Sequence, residues 1–570
     1  MTKKKAHDGD GRPRKGESVI RKLKLFAVAL LVALCAAAHS AARAEWQAPA
    51  PMQTPQPAPA AVPPAPAPEA ARALTPQERR GRAIYLRGES AAGRQITAVV
   101  GEVDVPASAM TCSGCHGLRG EGKTEGGVTA GNLTWSNLTK PYGHTHPSGR
   151  KHGPFNESSL ALAITNGVDP ARNELQAAMP RFRMSAEDMA DLVAYLKRLE
   201  FDRDPGITAD SLEVGALLPA AGPLADTGAA MREILTAYFD DLNGRGGIYN
   251  RKIRLHVVET GGTDAAQRAR AALASGGLFA FVSGVSAGAD AELAEVARDE
   301  EVPFVGLSTL LPATGSPPNH YLFYLQPGAA EQSRALVNYA AENLSLNKPR
   351  AFVVAAHGAL PEAAAAAVEE QAKRVGWAEV GQRAYAPAGF NAARLAADLK
   401  AADAGAVFFF GGAAEQTAFV RAAAAQGLAA NVFLLGMLTG PDLQAAVPAG
   451  SKLKVYVSFP TVPSDISDAG GQEFRALLAK SKLTPRHTAA QFSALAAAKT
   501  FVEGLKLAGA DLSREKLVTA LEGLYDFDTG LTPRIVFGPN RRVGAAGAYV
   551  VAVNPETKEF SQVSGWVKAN

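Results

Sequence analysis

The chain has 570 residues, of which 47% are hydrophobic and 20% charged. That is the composition of soluble globular protein, and the length predicts several domains. The net charge of +4 comes largely from lysines and arginines among the first 24 residues, which excludes a nucleic-acid-binding stripe or polybasic surface for the rest.

The basic opening (Lys3, Lys4, Lys5, Arg12, Arg14, Lys15, Arg21, Lys22, Lys24) leads into apolar residues 25–38 and then Ala42-Arg43-Ala44. This is the order of a secretory signal peptide over residues 1–44, cleaved after Ala44 and directing the chain to the periplasm. The apolar run is shorter than the about 20 residues of an ordinary span, so an uncleaved inner-membrane anchor is the lesser alternative. Residues 45–73 are nearly all Ala, Pro and Gln and predict an extended, semi-rigid linker.

Folded structure is expected to resume at Thr75-Pro76-Gln77-Glu78, a capping box with proline at the first helical position, in a helix ended by Gly88. Next comes Cys112-Ser113-Gly114-Cys115-His116. Two thiols and an imidazole at this spacing fasten one haem c through two thioethers and ligate its iron through His116. A zinc knuckle or a redox pair is the rival, but zinc needs a second ligand pair and none follows. The third cysteine, Cys35, lies in the signal segment, so no disulfide framework is predicted.

The second axial ligand is sought among Met179, Met184 and Met189. Met189 belongs to the apolar face (with Leu192, Val193, Leu196 and Leu199) of a helix capped by Ser185, where a methionine packs as core. Met179 precedes Pro180 in a non-helical approach and is the candidate, with Met184, a histidine or an open position as alternatives. His144, His146 and His152 lie in a Gly/Pro/Arg-rich stretch without a thiol or carboxylate partner. It reads as a solvated loop, with a zinc or copper site or a role near the haem edge as the alternatives.

These motifs, with Gly81, Tyr85, Gly120, Gly122, AAMPRFRMS and DLVAYLKRL, make residues 74–201 similar to a class I mono-haem cytochrome c. The resemblance implies a small all-α domain whose first and last helices cross, with Gly81 and Tyr195 at the crossing.

After a predicted linker at 202–210, apolar strands alternate with Ala-rich helices. The strands are expected at 213–218, 253–259, 278–283, 304–307, 351–355, 406–410, 432–435 and 455–458. Strands separated by helices imply parallel sheets covered on both faces, and this length exceeds one core, so two α/β lobes are predicted. The segments VGALLPAAGPLADTGAAM, DDLNGRGGIYNRKIRLHVVE and TGLTPRIVFGPNRRVGAAGAYVVAVN make residues 211–570 similar to the type I periplasmic solute-binding proteins of branched-chain amino-acid ABC transporters. The resemblance implies a two-lobe α/β fold with three chain crossings and a ligand cleft. It places Ser286, Ser308 and Thr309 at the ligand, although small hydroxyl residues also serve as helix caps. On the other lobe, His357-Gly358, Ala413-Ala414 and Gly436-Met437 stand where the family has aromatic and acidic residues. Without an acid to pair a buried ammonium, a zwitterionic amino acid is a poor ligand. A less polar carboxylate, alcohol or aromatic, or a degenerate docking surface, fits better.

No nucleophile elbow or phosphate loop is present in the α/β part, so an electron carrier and binding protein is expected rather than an enzyme. Its partners would be a dehydrogenase donor, a cytochrome or oxidase acceptor, a small organic solute and an ABC permease, with no nucleic acid. Fusion of the two modules suggests coupling to alcohol oxidation by a quinoprotein dehydrogenase. The alternative is a receptor of an ABC importer in which the haem domain is a sensor or accessory module.

Overall fold

The structure, a computed structural model, describes residues 74–569 apart from 126, 127, 147 and 378. The expected signal peptide, Cys35 and the whole of the 45–73 linker lie outside the described residues. Among those residues, no helix is long and apolar enough to cross a membrane.

The first domain opens with α1 (Pro76–Arg87). Its capping box is formed as the sequence predicts: Glu78 N–H donates to Thr75 Oγ1 at 3.2 Å and Thr75 N–H to Glu78 Oε2 at 2.7 Å. Strands β1 (Thr97–Val100) and β2 (Val103–Pro106) follow, then α2 (Cys112–His116). A short hairpin of β3 (His144–Thr145) and β4 (Lys151–His152) precedes α3 (Glu157–Asn166). Strand β5 (Arg181–Arg183) and α4 (Ala186–Leu196) complete the domain. The helices are joined by a small antiparallel sheet in the order β2-β1-β5, which the helical reading does not contain. Helices α1 and α4 cross at Gly81, where an added Cβ would lie 2.0 Å from the Asp191 carbonyl oxygen and 2.7 Å from Tyr195 Cβ. The backbones touch because no side chain intervenes. The crossing buries Tyr85 and Tyr195, whose ring centroids are 5.7 Å apart, and Arg80 forks onto Asp191 at 2.7 and 2.9 Å.

The three histidines are not a solvated loop. In the β3-β4 hairpin His144 pairs with His152, and the His144-Thr145-His146 alternation puts His146 on the same face. The three ring centroids lie 5.0 to 6.0 Å apart, His146 Nε2 is 3.0 Å from His152 Nε2, and His152 is buried against Phe155. Arg150 pins the hairpin, donating to Asp169 at 2.7 Å and to His146 Nε2 at 3.0 Å. That guanidinium beside His146 disfavours a metal cation, and no group of three or more His, Cys, Asp or Glu among the described residues is placed to hold one.

The remainder forms two α/β lobes. The N-lobe sheet comprises β6 (Ser211–Pro219), β7 (Lys252–Thr260), β8 (Ala280–Val285), β9 (Phe304–Ser308) and β10 (Leu322–Phe323). All are parallel, in the order β10-β9-β8-β6-β7. The C-lobe sheet has β11 (Ala351–Ala356), β12 (Gly381–Tyr385), β13 (Ala406–Phe410), β14 (Asn431–Leu435) and β15 (Lys454–Phe459), parallel, and β16 (Gly547–Val553), antiparallel to β15. Strand β13 reads Ala-Val-Phe-Phe-Phe without a polar residue because both faces are covered. Val407 and Phe409 enter one core layer and Phe408 and Phe410 the other. Core membership changes lobe between Leu325 and Ala329, between Phe459 and Ile466, and between Ala546 and Val550. These are three chain crossings. The eight expected strands are present, most extended by a residue or two.

Segment 202–210 is fastened to both domains. Arg82 of α1, 7% exposed, pairs with Asp202 at 3.0 Å, Asp204 at 3.2 Å and Glu301 of the N-lobe. Arg87 donates to Glu301 and to Tyr321 Oη, each at 3.1 Å. Asp204 also accepts the Arg514 amide at 2.5 Å, while the Arg514 guanidinium donates to the carbonyls of Leu278, Phe279 and Glu300 at 2.7, 2.8 and 3.0 Å. Gly206 lies flat on this wall, where a Cβ would be 2.5 Å from the Gly277 oxygen.

Glu515 sits beside this cluster. Burial pushes its carboxyl up, but hydrogen bonds from His320 and Tyr321, the His320 charge and the Arg82 charge outweigh burial and hold it at about 2. A depressed folded value stabilises the protein above the ordinary 4.5, and that contribution is lost as pH falls toward about 2. Stability-versus-pH curves of wild type and Glu515→Gln should therefore keep a constant separation above pH 4.5 and converge as pH falls toward about 2; a separation unchanged down to pH 2 would refute the assignment.

Candidate functional sites

Helix α2 begins at Thr111, whose hydroxyl accepts the Gly114 amide at 3.2 Å. This start places Cys112 and Cys115 one turn apart, with His116 next to Cys115. Cys112 is half-buried against the domain core and Cys115 exposed, both as free thiols. The far end of α2 is tied to α1, because Tyr85 Oη donates to the Gly117 carbonyl at 2.7 Å. His116 Nδ1 lies 2.7 Å from the Gly131 carbonyl oxygen. A carbonyl can only accept, so Nδ1 carries the proton and Nε2 presents its lone pair. Burial lowers the imidazole's pKa and so favours the neutral ring, and the Gly131 hydrogen bond only partly opposes this. Two thiols and a fixed, neutral imidazole on one short helix are the donor set that covalent haem requires.

Met179 lies in the loop before β5, half-buried. Met184 and Met189 instead pack against the domain core. The Met179 loop is held by Arg181, which donates to the Met179 carbonyl and, at 3.1 Å, to that of Leu175. Its guanidinium passes over Gly167 so closely that a Cβ there would collide with Nε. The sequence offers a signal for this staple only in the arginine following Met-Pro.

In the N-lobe, Ser286 follows β8 and Ser308-Thr309 close β9, two neighbouring parallel strands, so the structure brings the three together at the carboxyl edge of the sheet. The Ser286 amide donates to the Ser308 carbonyl at 3.2 Å, and Ser308 Oγ lies 3.2 Å from Ser493 Oγ on a long helix of the same lobe. The helix-cap reading of Ser286 is not what is observed. Helix α5 (Ala225–Gly244) follows β6, and the helix after Ser286, α6 (Asp290–Asp299), starts at Ala289 without a side-chain cap. Sequence reasoning missed Asp290. It is 8% exposed, faces the hydroxyls of Thr309 and Ser286, and has a buried Oδ1 with no hydrogen-bond partner. In the C-lobe, His357, Ala413 and Ala414 are exposed and Met437 half-buried, following β11, β13 and β14. An aromatic hydroxyl comes from the edge strand β12: Tyr385 Oη donates to Glu415 at 2.8 Å, and a Cβ on Gly411 would lie 2.1 Å from it. The N-lobe thus presents hydroxyls with a buried acid, and the C-lobe strand ends carry His357 beside the small or apolar Ala413, Ala414 and Met437.

Comparison with known proteins agrees with this organisation. The family model described as periplasmic binding protein matches residues 211–559, and that described as cytochrome c matches residues 107–200. No curated protein matches the chain. Among solved structures, an ABC transporter permease from the Pseudomonas fluorescens group is 17% identical with a TM-score of 0.50, covering 63% of this chain and 93% of its own. A fatty acid ABC transporter substrate-binding protein from Thermomonospora curvata is 18% identical, TM-score 0.49, covering 64% and 94%. A putative branched-chain amino acid ABC transporter from Rhodospirillum rubrum is 18% identical, TM-score 0.49, covering 62% and 100%. At 17% identity the likeness to the first of these speaks for the fold alone. The family match spans more than half of the 570 residues, and the chain belongs to the periplasmic binding protein family, with a cytochrome c domain ahead of its two lobes.

Proposed function

We propose that this protein is a periplasmic one-electron carrier whose receptor domain binds a small organic solute. One haem c would be joined to Cys112 and Cys115, with His116 and Met179 as axial ligands. The observation that carries the reading is the His116 Nδ1–H bond to Gly131, which orients the imidazole and leaves Nε2 as a ligand. When bound, the haem supplies a one-electron couple. Arg181 positions the Met179 loop, and Tyr85 holds α2 against α1, so both ligand-bearing segments are fixed before the group is attached. The electron donor would be a periplasmic dehydrogenase, with a quinoprotein alcohol dehydrogenase as the class that the fusion suggests, and the acceptor a cytochrome or oxidase. An ABC permease would be a partner only if the solute is imported.

Met179→Ala tests the axial pair. The variant should retain covalent haem, lose the thioether-to-iron absorption band and drop in potential on the order of 0.1 V, a fraction of the roughly 0.8 V that axial ligands command. Met184→Ala should leave band and potential unchanged. If the band survives Met179→Ala, another residue is the ligand. A wild-type protein without covalent haem would overturn the electron-carrier reading altogether.

A further inference from the structure

Asp290 is the group that the functional reading leaves without a task. An acidic residue in the first turn of a helix is ordinary, because it faces the positive end of the helix dipole. A carboxylate that is more than nine-tenths buried there, with one oxygen lacking any hydrogen bond, is not ordinary, because an unpaired buried acceptor is costly. Its surroundings are the three hydroxyl residues already placed at the carboxyl edge of the N-lobe sheet, where open α/β sheets take their ligands.

The donors at this edge are largely committed. The Ser286 amide donates to Ser308 O at 3.2 Å, the Ala289 amide to Ser286 O at 3.0 Å, and the Leu311 amide to Thr309 Oγ1 at 2.9 Å. The Thr309 and Ser286 hydroxyls, together with the backbone amide of Asp290 itself, lie near the Asp290 carboxyl and lower its pKa, though burial outweighs them and raises it. A helix N-terminus and two hydroxyls would otherwise make a good seat for an anion. Here the chain's own carboxyl fills that seat, and a second carboxylate beside it would meet like charge in a buried setting. What remains unpaired is an acceptor: the buried Asp290 Oδ1, which lies beside the hydroxyl residues Ser286 and Thr309.

We infer that Asp290, with Ser286 and Thr309, forms a hydrogen-bond-acceptor subsite in the N-lobe. It selects a solute carrying a hydroxyl or an ammonium group and rejects carboxylates. This deepens the receptor part of the proposed function and rests on it. The opposite lobe, with Ala413 and Met437, would accommodate the solute's apolar part.

The test uses the full-length haem-loaded protein and two matched sets of probes: hexanol, hexylamine and hexanoate, and benzyl alcohol, benzylamine and benzoate. Binding is followed by calorimetry and by ligand-induced thermal shift. Wild type should bind an alcohol or amine at least about tenfold more tightly than its matched acid. The alcohol-to-amine order separates a hydroxyl from an ammonium ligand. Asp290→Ser, and the isosteric Asp290→Asn should the serine variant fail to fold, should weaken the donor-bearing probe and bring the matched acid up by about tenfold or more. A wild-type preference for the acids, or an unchanged order in the variants, overturns the role of Asp290 while leaving the receptor reading in place. If none of the six probes binds either protein, the receptor reading falls and this inference with it.

Discussion

Arg82→Met is expected to lower stability by about 3–5 kcal/mol, the range found when one partner of a buried ion pair is removed. The guanidinium lies among Asp202, Asp204 and Glu301, whose side chains are 14%, 7% and 15% exposed. Burial alone would lower the arginine's pKa, but the Glu301 and Asp204 charges more than reverse this and keep it cationic. Without it, Asp202 keeps a hydrogen bond from Tyr195 at 2.8 Å and Asp204 one from the Arg514 amide, but both carboxylates lose the ion pair with Arg82 in a site from which water is largely excluded, and only Asp204 still feels the Arg514 charge. Arg82→Lys should recover part of the loss, since one ammonium restores the charge but not the three-way fork. Denaturant unfolding followed at the haem absorption band and by far-UV circular dichroism should give one coincident transition in wild type. In Arg82→Met the haem domain should unfold first, because one of the two arginine bridges from α1 to Glu301 is gone and only that of Arg87 is left. A loss below about 1 kcal/mol, with the transitions still coincident, would show that the cluster is a surface feature of little weight.

Gly81→Val is expected to cost about 3 kcal/mol or more, above the usual overpacking range, because the obstacle is backbone. A Cβ at this position would stand 2.0 Å from the Asp191 oxygen, so no rotamer change relieves the contact and α1 and α4 must separate. The separation would break the Arg80 to Asp191 fork and open the Tyr85 and Tyr195 packing. Tyr85 also anchors the end of α2 at Gly117, so attachment should suffer as well. The expected readout is a lowered ratio of haem to protein in purified Gly81→Val and an earlier thermal transition. Gly81→Ala should show both effects in weaker form. Full haem occupancy with native stability in the valine variant would contradict the crossing.

Much of this molecule was legible in one dimension. The Thr75 to Glu78 capping box, the alternation of β6 to β9 with helices and the Cys112 to His116 spacing are local patterns, each set by interactions within one or two turns or by a strand's period. The family resemblance, rather than a local pattern, singled out Ser286, Ser308 and Thr309. Local patterns did not reveal that residues 202–210 are pinned between Arg82 and Arg514, because those arginines come from more than 100 and about 300 residues away and each alone resembles a surface charge. The histidines of β3 and β4 misled for the same reason: a polar, Gly/Pro-rich stretch reads as solvated until pairing stacks its rings.

What the sequence determined by itself was the chemistry on offer: a covalent haem motif on a small helical domain, followed by two parallel α/β lobes of a binding protein. What the tertiary structure decided was the state of the groups involved: which nitrogen of His116 carries the proton, that Asp290 is buried behind Ser286 and Thr309, and that α1 is bolted to the N-lobe. Spacing along the chain can specify which donor types lie within one turn of a helix. Burial, tautomer and charge pairing depend on what distant segments place against those donors, and only packing brings such segments together.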